Sequence, residues 1–485
     1  MERAGVRARR ALASRDYRFL LAGRLLSQFA DGLFQAVLVT IIVFLAPAEQ
    51  STAAGLARAT AILVVPYSVV GPFAGVFIDR WSRRLILRNT PLIRGAAALA
   101  ILPLAGESLV LYGFALVVTS LNRFYLATAS ASLPSMVGED DLLVANSMAA
   151  VGGTVTTFLG FGVGTQFADQ IGSDPLLISM GVLYALAAFM ASRIRTPLRP
   201  KGVGEVPRID LAGHARDLVA GLRRLRVTPP ALGSIVSLAL DQILVGVVTA
   251  LSLVVFRDLF DEGVASYGRI VGAGGVGILV GILTVGILES RISKPRIVAL
   301  GFLMAGVACL AMSPFVNGFT MLVVSFILGL TFAYRKIPAD TIVQESVPDR
   351  YRGRVFAAYD FCYGLARPVG VALSIPLIGE ASSRGRAGAI IALVGLVYLV
   401  WTPVLPAWVR RPRRVELRFY AGGRADEVPR AIVVAGEEEP VEVEDSALEE
   451  VGGERRRRYR LRAEDGNLIE VWAPEGAETW TVSRW

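Results

Sequence analysis

Long apolar runs alternate with short polar loops through residue 408 of the chain. A bilayer core needs roughly 20 apolar residues per helix, and by that measure this region divides into about twelve segments. The predicted membrane-spanning helices are residues 18–45, 55–78, 85–105, 108–133, 145–169, 174–194, 230–256, 267–290, 296–314, 318–337, 355–378 and 386–408. The chain therefore reads as an all-α membrane protein.

The polar stretches outside these helices divide the chain into domains. We predict a short N-terminal segment, a six-helix bundle, a linker, a second six-helix bundle and a tail. Their residues are 1–17, 18–195, 196–229, 230–408 and 409–485. Within the linker, DLVAGLRRLR predicts a short amphipathic helix at the membrane surface.

The two predicted bundles are related by an internal repeat. A shift of about 210 residues places GVFIDRWSR at 75–83 on GILESRISK at 286–294, and Asp31 on Asp241. The same shift brings VGED near VPDR at 347–350. Because each half has an even number of predicted spans, the repeat is parallel and both halves begin on the same side of the membrane.

Arginine and lysine mark one set of loops, and such loops are retained in the cytoplasm. The N-terminal segment, the 75–84 loop, the linker, RISKPR, DRYRGR and the segment after Trp408 are basic, whereas the opposite loops are mostly small or acidic. We therefore expect a multi-pass protein of the plasma membrane with both termini in the cytoplasm.

Composition narrows the possible chemistry. The chain is 54% hydrophobic and 19% charged, too apolar for an ordinary soluble domain. It has two cysteines, both inside apolar segments, and one histidine, so neither a disulfide framework nor a His/Cys metal site is expected. No phosphate-binding loop and no nucleophile–base pair is visible, and we predict no cofactor and no enzyme activity.

The tail changes character after Trp408. An acidic run, EEEPVEVEDSALEE, precedes a basic run, ERRRRYRLR, and several stretches alternate polar with apolar residues. This pattern predicts a small cytoplasmic β domain of roughly 70 residues. Paired against the acidic run, the arginines are expected to form a solvated face, and no nucleic-acid partner is predicted. A regulatory or partner-binding role is the hypothesis for this domain.

Three motifs carry a resemblance to a known family. GVFIDRWSRR at 75–84 is similar to the signature loop of the major facilitator superfamily, although Ser82 stands where the family has a second glycine. VPDRYRGRVFA at 347–357 resembles the segment before the family's eleventh helix. SQFADGLFQAVL at 27–38 is similar to the first helix of its drug-efflux and proton-antiporter branch, which includes macrolide exporters. The resemblance covers about residues 15–408.

The resemblance implies a gate on the cytoplasmic side. In the family, the acidic residue of the signature loop accepts hydrogen bonds from the start of the eleventh helix and ties the two halves together. The residues that this implies for the gate are Gly75, Asp79, Arg80, Arg83, Arg84, Arg291, Lys294 and Asp360. The alternative is that the arginines only enforce the positive-inside topology.

Ionisable side chains inside membrane spans usually face a cavity or a partner. In the resembled fold, helices one, four, seven and ten line a central cavity. The predicted proton-coupling and cavity residues are Asp31, Gln28, Gln35, Arg123, Asp241, Arg335 and Asp340. Further ionisable candidates within spans are Arg94, Lys336, Asp360 and Arg367, of which the last two share a helix face.

Asp31 is the predicted principal coupling site, with Arg123 as its expected partner. Gln28 and Gln35 lie on the same helix face as Asp31, which makes a polar stripe in an apolar span. The alternative is a permanent ion pair that only positions two helices. Arg94, on a third helix that is peripheral in the family, is expected to snorkel or to pair with acidic residues at 139–141.

The glycine-rich run at 152–166 falls on the fifth predicted helix, where antiporter members carry a glycine-proline motif. No proline occurs in this run, and close packing of helices on small residues is the preferred interpretation.

The leading functional hypothesis is a monomeric secondary transporter that exports a hydrophobic or amphipathic small molecule in exchange for protons. Its partners would be the substrate, protons and the lipid bilayer. The alternatives are a specific siderophore or metabolite exporter, an uptake symporter, a membrane sensor that does not transport, and a membrane-embedded enzyme. The enzyme interpretation lacks catalytic groups, and the sensor interpretation leaves the paired intramembrane aspartates unexplained.

Overall fold

A computed structural model gives the architecture of most of the chain. It describes residues 2–41, 82–102, 108–198, 221, 223, 225, 228–260, 263–347, 349–378, 383–409, 413–419, 429–434, 437–451, 454–463, 468–474 and 479–484. The predicted span at 55–78 and the predicted gate residues Gly75, Asp79 and Arg80 lie outside these residues.

In its described residues, the N-terminal half has one short helix and five long ones. Its helices are α1 (Glu2–Ala13), α2 (Arg15–Val39), α3 (Arg83–Ala100), α4 (Ser108–Ser132), α5 (Glu139–Ile171) and α6 (Ser173–Ser192). Ser14 starts α2 as an N-cap, with its Oγ accepting a hydrogen bond from the Tyr17 amide at 3.3 Å. Gly172, with φ of 78°, makes the turn between α5 and α6, a conformation that favours glycine.

The C-terminal half repeats this plan. Its helices are α7 (Pro229–Val254), α8 (Val264–Glu289), α9 (Lys294–Met312), α10 (Gly318–Ser346), α11 (Asp349–Ile378), α12 (Arg384–Trp401) and α13 (Val404–Val409). A capping box starts α10: Asn317 Oδ1 accepts from the Thr320 amide at 3.0 Å, and Thr320 Oγ1 accepts from the Asn317 amide at 3.1 Å.

Eight candidate membrane spans, long and apolar enough to cross a bilayer, occur within the described parts of the chain. The mostly helical character predicted for residues 18–408 is confirmed. The count of twelve spans stays a prediction.

Glycines bring the same pair of helices together in each half. In the N-terminal half, a Cβ on Gly32 of α2 would lie 2.1 Å from the Thr157 carbonyl oxygen, and one on Gly160 of α5 would lie 2.1 Å from that of Phe29. In the C-terminal half, Gly246 of α7 and Gly370 of α11 are in the corresponding contact, 2.4 Å from the Arg367 oxygen and 2.0 Å from the Ile243 oxygen. Only glycine permits these backbone contacts. Close packing is therefore confirmed for the glycine-rich run on α5.

The two halves pack against each other through α5 and α8. The rings of Phe161 and Tyr267 meet edge to face with centroids 6.3 Å apart. Near the junction of α5 with α6, Asp169 Oδ2 accepts a hydrogen bond from the Ala265 amide at 3.1 Å. The last three turns of α5 are thereby joined to the first turn of α8.

The predicted amphipathic helix of the linker is partly described. Residues 221, 223 and 225 are helical, with Leu225 buried in the core and Arg223 exposed. Gly221 lies against α11, since a Cβ there would be 2.3 Å from the Arg354 carbonyl oxygen. The apolar side of this segment therefore packs on the protein.

The tail forms strands, as its alternating pattern predicts. The six strands are β1 (Arg413–Phe419), β2 (Pro429–Val434), β3 (Glu437–Val451), β4 (Glu454–Ala463), β5 (Leu468–Pro474) and β6 (Thr479–Arg484). All neighbouring strands are antiparallel, and the pairing of β1 with β6 closes the sheet into a barrel. Its interior is apolar, with Trp480 packed on Tyr459 at 5.2 Å between ring centroids.

The acidic and basic runs of the tail are partner strands. In the β3–β4 register Glu449 lies opposite Arg456 and Glu442 opposite Arg462. Arg458 Nε lies 2.9 Å from Glu449 Oε1, and Arg460 donates to Glu470 of β5 at 2.8 Å. These arginines therefore pair with carboxylates on neighbouring strands of the barrel, as the sequence predicted.

Candidate functional site

A buried ion pair holds three helices together inside the N-terminal half. Arg94 of α3 pairs with Asp31 of α2, and the same guanidinium donates to Ser27 Oγ and to the Tyr184 hydroxyl of α6, both at 2.9 Å. Tyr184 in turn donates to Asp31 Oδ1 at 2.7 Å. The side chain of Asp31 is 5% exposed and that of Arg94 is fully buried. We call Asp31, Arg94 and Tyr184 the N-terminal triad.

The C-terminal half contains a second triad of the same composition. Arg335 Nε of α10 lies 2.9 Å from Asp241 Oδ1 of α7, and the Tyr398 hydroxyl of α12 donates to the same oxygen at 3.0 Å. Arg335 also donates to the Gly301 carbonyl of α9 at 3.0 Å. Neither Asp241 nor Arg335 is exposed. We call Asp241, Arg335 and Tyr398 the C-terminal triad.

The arginine stacks on an aromatic ring in both triads. The Arg94 guanidinium carbon lies 4.5 Å from the centroid of the Tyr184 ring, and that of Arg335 lies 5.1 Å from the Tyr398 ring. Burial of a charge is costly unless the charge is paired and hydrogen-bonded. Both triads pair their charges and share hydrogen bonds with the tyrosine, although Oδ2 of each aspartate and Nε of each arginine have no hydrogen-bond partner among the described residues. They are therefore strong local constraints on the helices that supply them.

The triads correct two expectations about arginine. The partner of Asp31 is Arg94, whereas Arg123 was expected. Arg94 does not snorkel, since it is among the largest fully buried side chains of the described chain, and the carboxylate that it pairs with is Asp31. The reason is that α3 packs directly on α6, and α2 also lies against α6, so a long side chain on α3 reaches the carboxylate.

The two glutamines near Asp31 separate in the structure. Gln28 is buried and its Oε1 accepts a hydrogen bond from Arg24 Nε at 3.2 Å. Gln35 is exposed. The predicted polar stripe is therefore divided between the packed interior of the half and its surface.

A second group of charges remains open to solvent. Lys336 Nζ lies 2.5 Å from Asp340 Oδ2 on α10, one turn along the helix, and Tyr359 of α11 donates to the other oxygen of Asp340 at 2.5 Å. The Lys336 ammonium also lies 5.0 Å from the Tyr359 ring centroid and 5.2 Å from that of Tyr363. The side chains of Lys336 and Asp340 are 24% and 28% exposed.

This open group extends across the boundary between the halves. Asp360 of α11 is exposed and lies within electrostatic range of Lys336, Asp340 and, from the N-terminal half, Arg123 of α4. Tyr363 is within range of Arg123 as well. We call Arg123, Lys336, Asp340, Tyr359, Asp360 and Tyr363 the central cluster.

Three of the described gate candidates make contacts within their own halves, whereas Asp360 belongs to the central cluster. Arg83 donates to the Ala131 carbonyl at the end of α4 at 2.8 Å, and Arg84 donates to Ser192 at the end of α6 at 3.0 Å. Lys294, which corresponds to Arg83 in the repeat, pairs with Glu345 near the end of α10. Arg291 is exposed. In each half, therefore, the start of the third helix of the repeat is fastened to the end of the fourth.

Sequence reasoning missed the tyrosines. Tyr184 and Tyr398 donate to the two triad aspartates, and Tyr359 donates to Asp340. The available signal was the repeat itself, since Tyr184 and Tyr398 lie 214 residues apart, close to the shift that relates the two aspartates. Within the described ranges, no group of three or more His, Cys, Asp or Glu side chains is placed to hold a metal ion.

Comparisons with known proteins place this architecture in a family. The family model described as Major Facilitator Superfamily matches residues 25–371. The chain is 29% identical to the uncharacterized MFS-type transporter Rv0037c of Mycobacterium tuberculosis, with 79% of this chain and 89% of that protein covered.

Two further relatives and one solved structure extend the comparison. Macrolide efflux protein A of Streptococcus pyogenes is 24% identical, with 70% of this chain and 84% of that protein covered. The putative bacilysin exporter BacE of Bacillus subtilis is 24% identical, with 72% and 85% covered. The crystal structure of an auto-inhibited POT family peptide transporter superposes with a TM-score of 0.62 at 11% identity, over 85% of this chain and 99% of that one, and shows the fold alone.

Proposed function

The chain belongs to the major facilitator superfamily and is a membrane transporter, not an enzyme; we propose that it exports a hydrophobic or amphipathic small molecule in exchange for protons. Efflux proteins among its relatives support the direction of transport. The fold supports an alternating-access mechanism, in which the two halves rock about the substrate.

The proposal of proton coupling rests on one observation. Asp360 is exposed within a long apolar helix, between cations supplied by both halves. A carboxylate in this position exchanges protons with water, and its proton affinity depends on the distance to each cation. Asp360 and Lys336 belong to the same half, and Arg123 belongs to the other. Movement of the halves would therefore change the distance from Asp360 to Arg123 more than the distance from Asp360 to Lys336. Asp360 would then bind a proton in one state and release it in the other.

The triads have a different role in this proposal. Asp31, the predicted coupling site, is sealed from solvent and is neutralised by Arg94. Asp241 has the same environment with Arg335. We assign both aspartates to the positioning of helices, which was the alternative interpretation of Asp31. Asp340, paired with Lys336, is a second candidate for proton exchange.

Topology and gating complete the proposal. The arginine-rich loops support a plasma-membrane protein with both termini and the barrel in the cytoplasm. The gate of Asp79 against the start of α11 belongs to the same side, where Gly221 of the linker already lies against Arg354. The transporter would act as a monomer in the bilayer. Asp79→Asn should shift the balance between the inward-open and outward-open states; an unchanged balance and rate would remove Asp79 from the gate.

The test is substrate-driven proton movement in liposomes. Purified protein is reconstituted with a pH-sensitive dye inside, and a panel of amphipathic compounds that includes erythromycin is added outside. Export by antiport predicts that protons move opposite to the compound, and Asp360→Asn abolishes this movement while Asp174→Asn, at an exposed carboxylate in the first turn of α6, retains it. Movement in the same direction would indicate the symporter alternative, and no movement with any compound would contradict secondary transport.

The sidedness has an independent test. Protease added to inside-out vesicles should remove the barrel, and protease added to right-side-out vesicles should not. The reverse result would place the termini outside.

A further inference from the structure

Arg367 of α11 has no partner of opposite charge among the residues that the structure describes. It is half-buried, and its Nε atom, which is shielded from solvent, has no hydrogen-bond partner among the described residues. No described carboxylate lies within ion-pair distance of it, and it follows Tyr363 of the central cluster by one helical turn. A guanidinium that has lost part of its hydration is stabilised by an anion.

The rings near Arg367 lie in the C-terminal half, and one of them reaches the boundary with the N-terminal half. Tyr363 and Tyr267 are within electrostatic range of its guanidinium. Tyr267 is on α8 and touches Phe161 of the N-terminal half, with ring centroids 6.3 Å apart. Arg367 is therefore placed where a molecule held between the halves would meet it, beside aromatic rings.

A count of the described charges nearby also leaves Arg367 without a counter-charge. The described charges within electrostatic or contact range of Tyr363 and Asp360, including Asp360 itself and the ion-pair partner of Asp241, are the cations Arg123, Arg335, Lys336 and Arg367 and the carboxylates Asp241, Asp340 and Asp360. Arg335 is neutralised by Asp241 and Lys336 by Asp340, and Arg123 faces Asp360. Four cations against three carboxylates leave one positive charge, and Arg367 is the cation whose carboxylate is missing.

We infer that Arg367 binds a carboxylate of the transported compound, so that the substrate class is an amphipathic acid or zwitterion with an aromatic body. The inference rests on the proposed transport function and adds a sign of charge to it. The carboxylate would receive the hydrogen bonds of the guanidinium, and the apolar body would lie against the rings of Tyr363 and Tyr267. A lipophilic cation would meet an unneutralised positive charge at this place.

The experiment measures binding and needs no transport. Full-length protein in detergent is titrated by thermophoresis with three probes of the same aromatic body, namely indole-3-acetate, indole-3-acetamide and tryptamine, which are anionic, neutral and cationic at pH 7. The anion should bind at least tenfold more tightly than the other two. Arg367→Gln should remove this preference, and Arg384→Gln, an exposed arginine at the start of α12, should keep it.

Arg367→Lys is the control that distinguishes loss of the positive charge from a folding defect. It retains the charge and should restore a preference for the anion that Arg367→Gln lacks, at equal thermal stability of the two variants. Equal affinity for the three probes, a preference for tryptamine, a preference for the anion that survives in Arg367→Gln, or no binding of any probe would overturn the assignment. Anion binding at Arg367 without substrate-driven proton movement would leave this inference standing and contradict the proposed transport mechanism.

Discussion

Arg94 and Arg335 neutralise corresponding aspartates in the two halves, although they come from helices that do not correspond. Arg94 belongs to α3, the third helix of its half, and Arg335 belongs to α10, the fourth of the other half. The aspartate and the tyrosine of each triad keep their places in the repeat, and only the arginine has changed helix. The triad recurs although its arginine comes from a different helix in each half. We therefore interpret neutralisation of the buried aspartate as a structural requirement that each half meets separately.

The first prediction concerns the N-terminal triad. Asp31→Asn leaves Arg94 buried without a counter-charge, which should destabilise the protein by roughly 3–5 kcal/mol. Adding Arg94→Gln should recover most of that loss, because no buried charge then remains. Thermal unfolding of the purified single and double variants measures this. Normal stability of Asp31→Asn together with loss of proton-driven transport would return the coupling role to Asp31.

The second prediction concerns the contact between α2 and α5. Gly160→Ala places a methyl group 2.1 Å from the Phe29 carbonyl oxygen, and the forced separation of the helices should cost about 1–3 kcal/mol. Gly162→Ala is the matched control, since nothing lies within 4 Å of a Cβ there. The control should be neutral or slightly stabilising. Equal unfolding temperatures of the two variants would contradict the close contact.

The third prediction is a dependence of stability on pH at Asp16, which precedes the first predicted span. Burial alone would raise the pKa of this carboxyl, but hydrogen bonds from Thr196 and the Arg195 amide outweigh it and lower the pKa below 3.8. The Thr196 amide and hydroxyl both donate to Asp16 Oδ2 at 2.6 Å. Since the folded pKa lies below the unfolded one, the stabilisation is present above about pH 4 and is lost as the pH falls through the folded value.

Asp16→Asn should therefore destabilise the protein by about 1 kcal/mol at pH 7. The difference between wild type and variant should shrink as the pH is lowered toward 3, as measured by urea unfolding at each pH. A difference that stays constant over this range would show that ionisation of Asp16 does not contribute.

The fourth prediction concerns the barrel. Trp480 is packed between Tyr459 and Phe419, with ring centroids at 5.2 and 6.1 Å, and Trp480→Ala should destabilise the barrel by about 3–5 kcal/mol. Leu448→Ala, at a side chain that is 52% exposed, is the control and should have little effect. Limited proteolysis followed by mass spectrometry of the tail compares the two. Equal resistance would mean that Trp480 does not belong to the barrel core.

Most of the helices could be predicted from the sequence, but few of the contacts between helices could. Apolar length predicts spans, and the repeat predicted that Asp31 and Asp241 correspond. Which arginine reaches Asp31 depends on the packing of α3 against α6, and periodicity within one helix carries no information about that contact. The same limit explains Arg335, whose partner, Asp241, lies on another helix.

The tail shows the opposite balance. Strict alternation and the opposed charges of two neighbouring runs are local signals, and they predicted strands and a solvated charged face. The closure of the barrel depends on the pairing of β1 with β6, about 65 residues apart, for which the sequence offers no pattern.

The glycine contacts have a mechanical consequence. Where Gly32 meets Gly160, and where Gly246 meets Gly370, main chain lies on main chain with no side chain between them that a rotation could rearrange. Sliding of one helix over the other would force peptide groups into each other, so these contacts oppose relative movement of the paired helices within each half. In the proposed transport cycle, movement between the halves would then be taken up at the contact of α5 with α8, where the rings of Phe161 and Tyr267 meet edge to face.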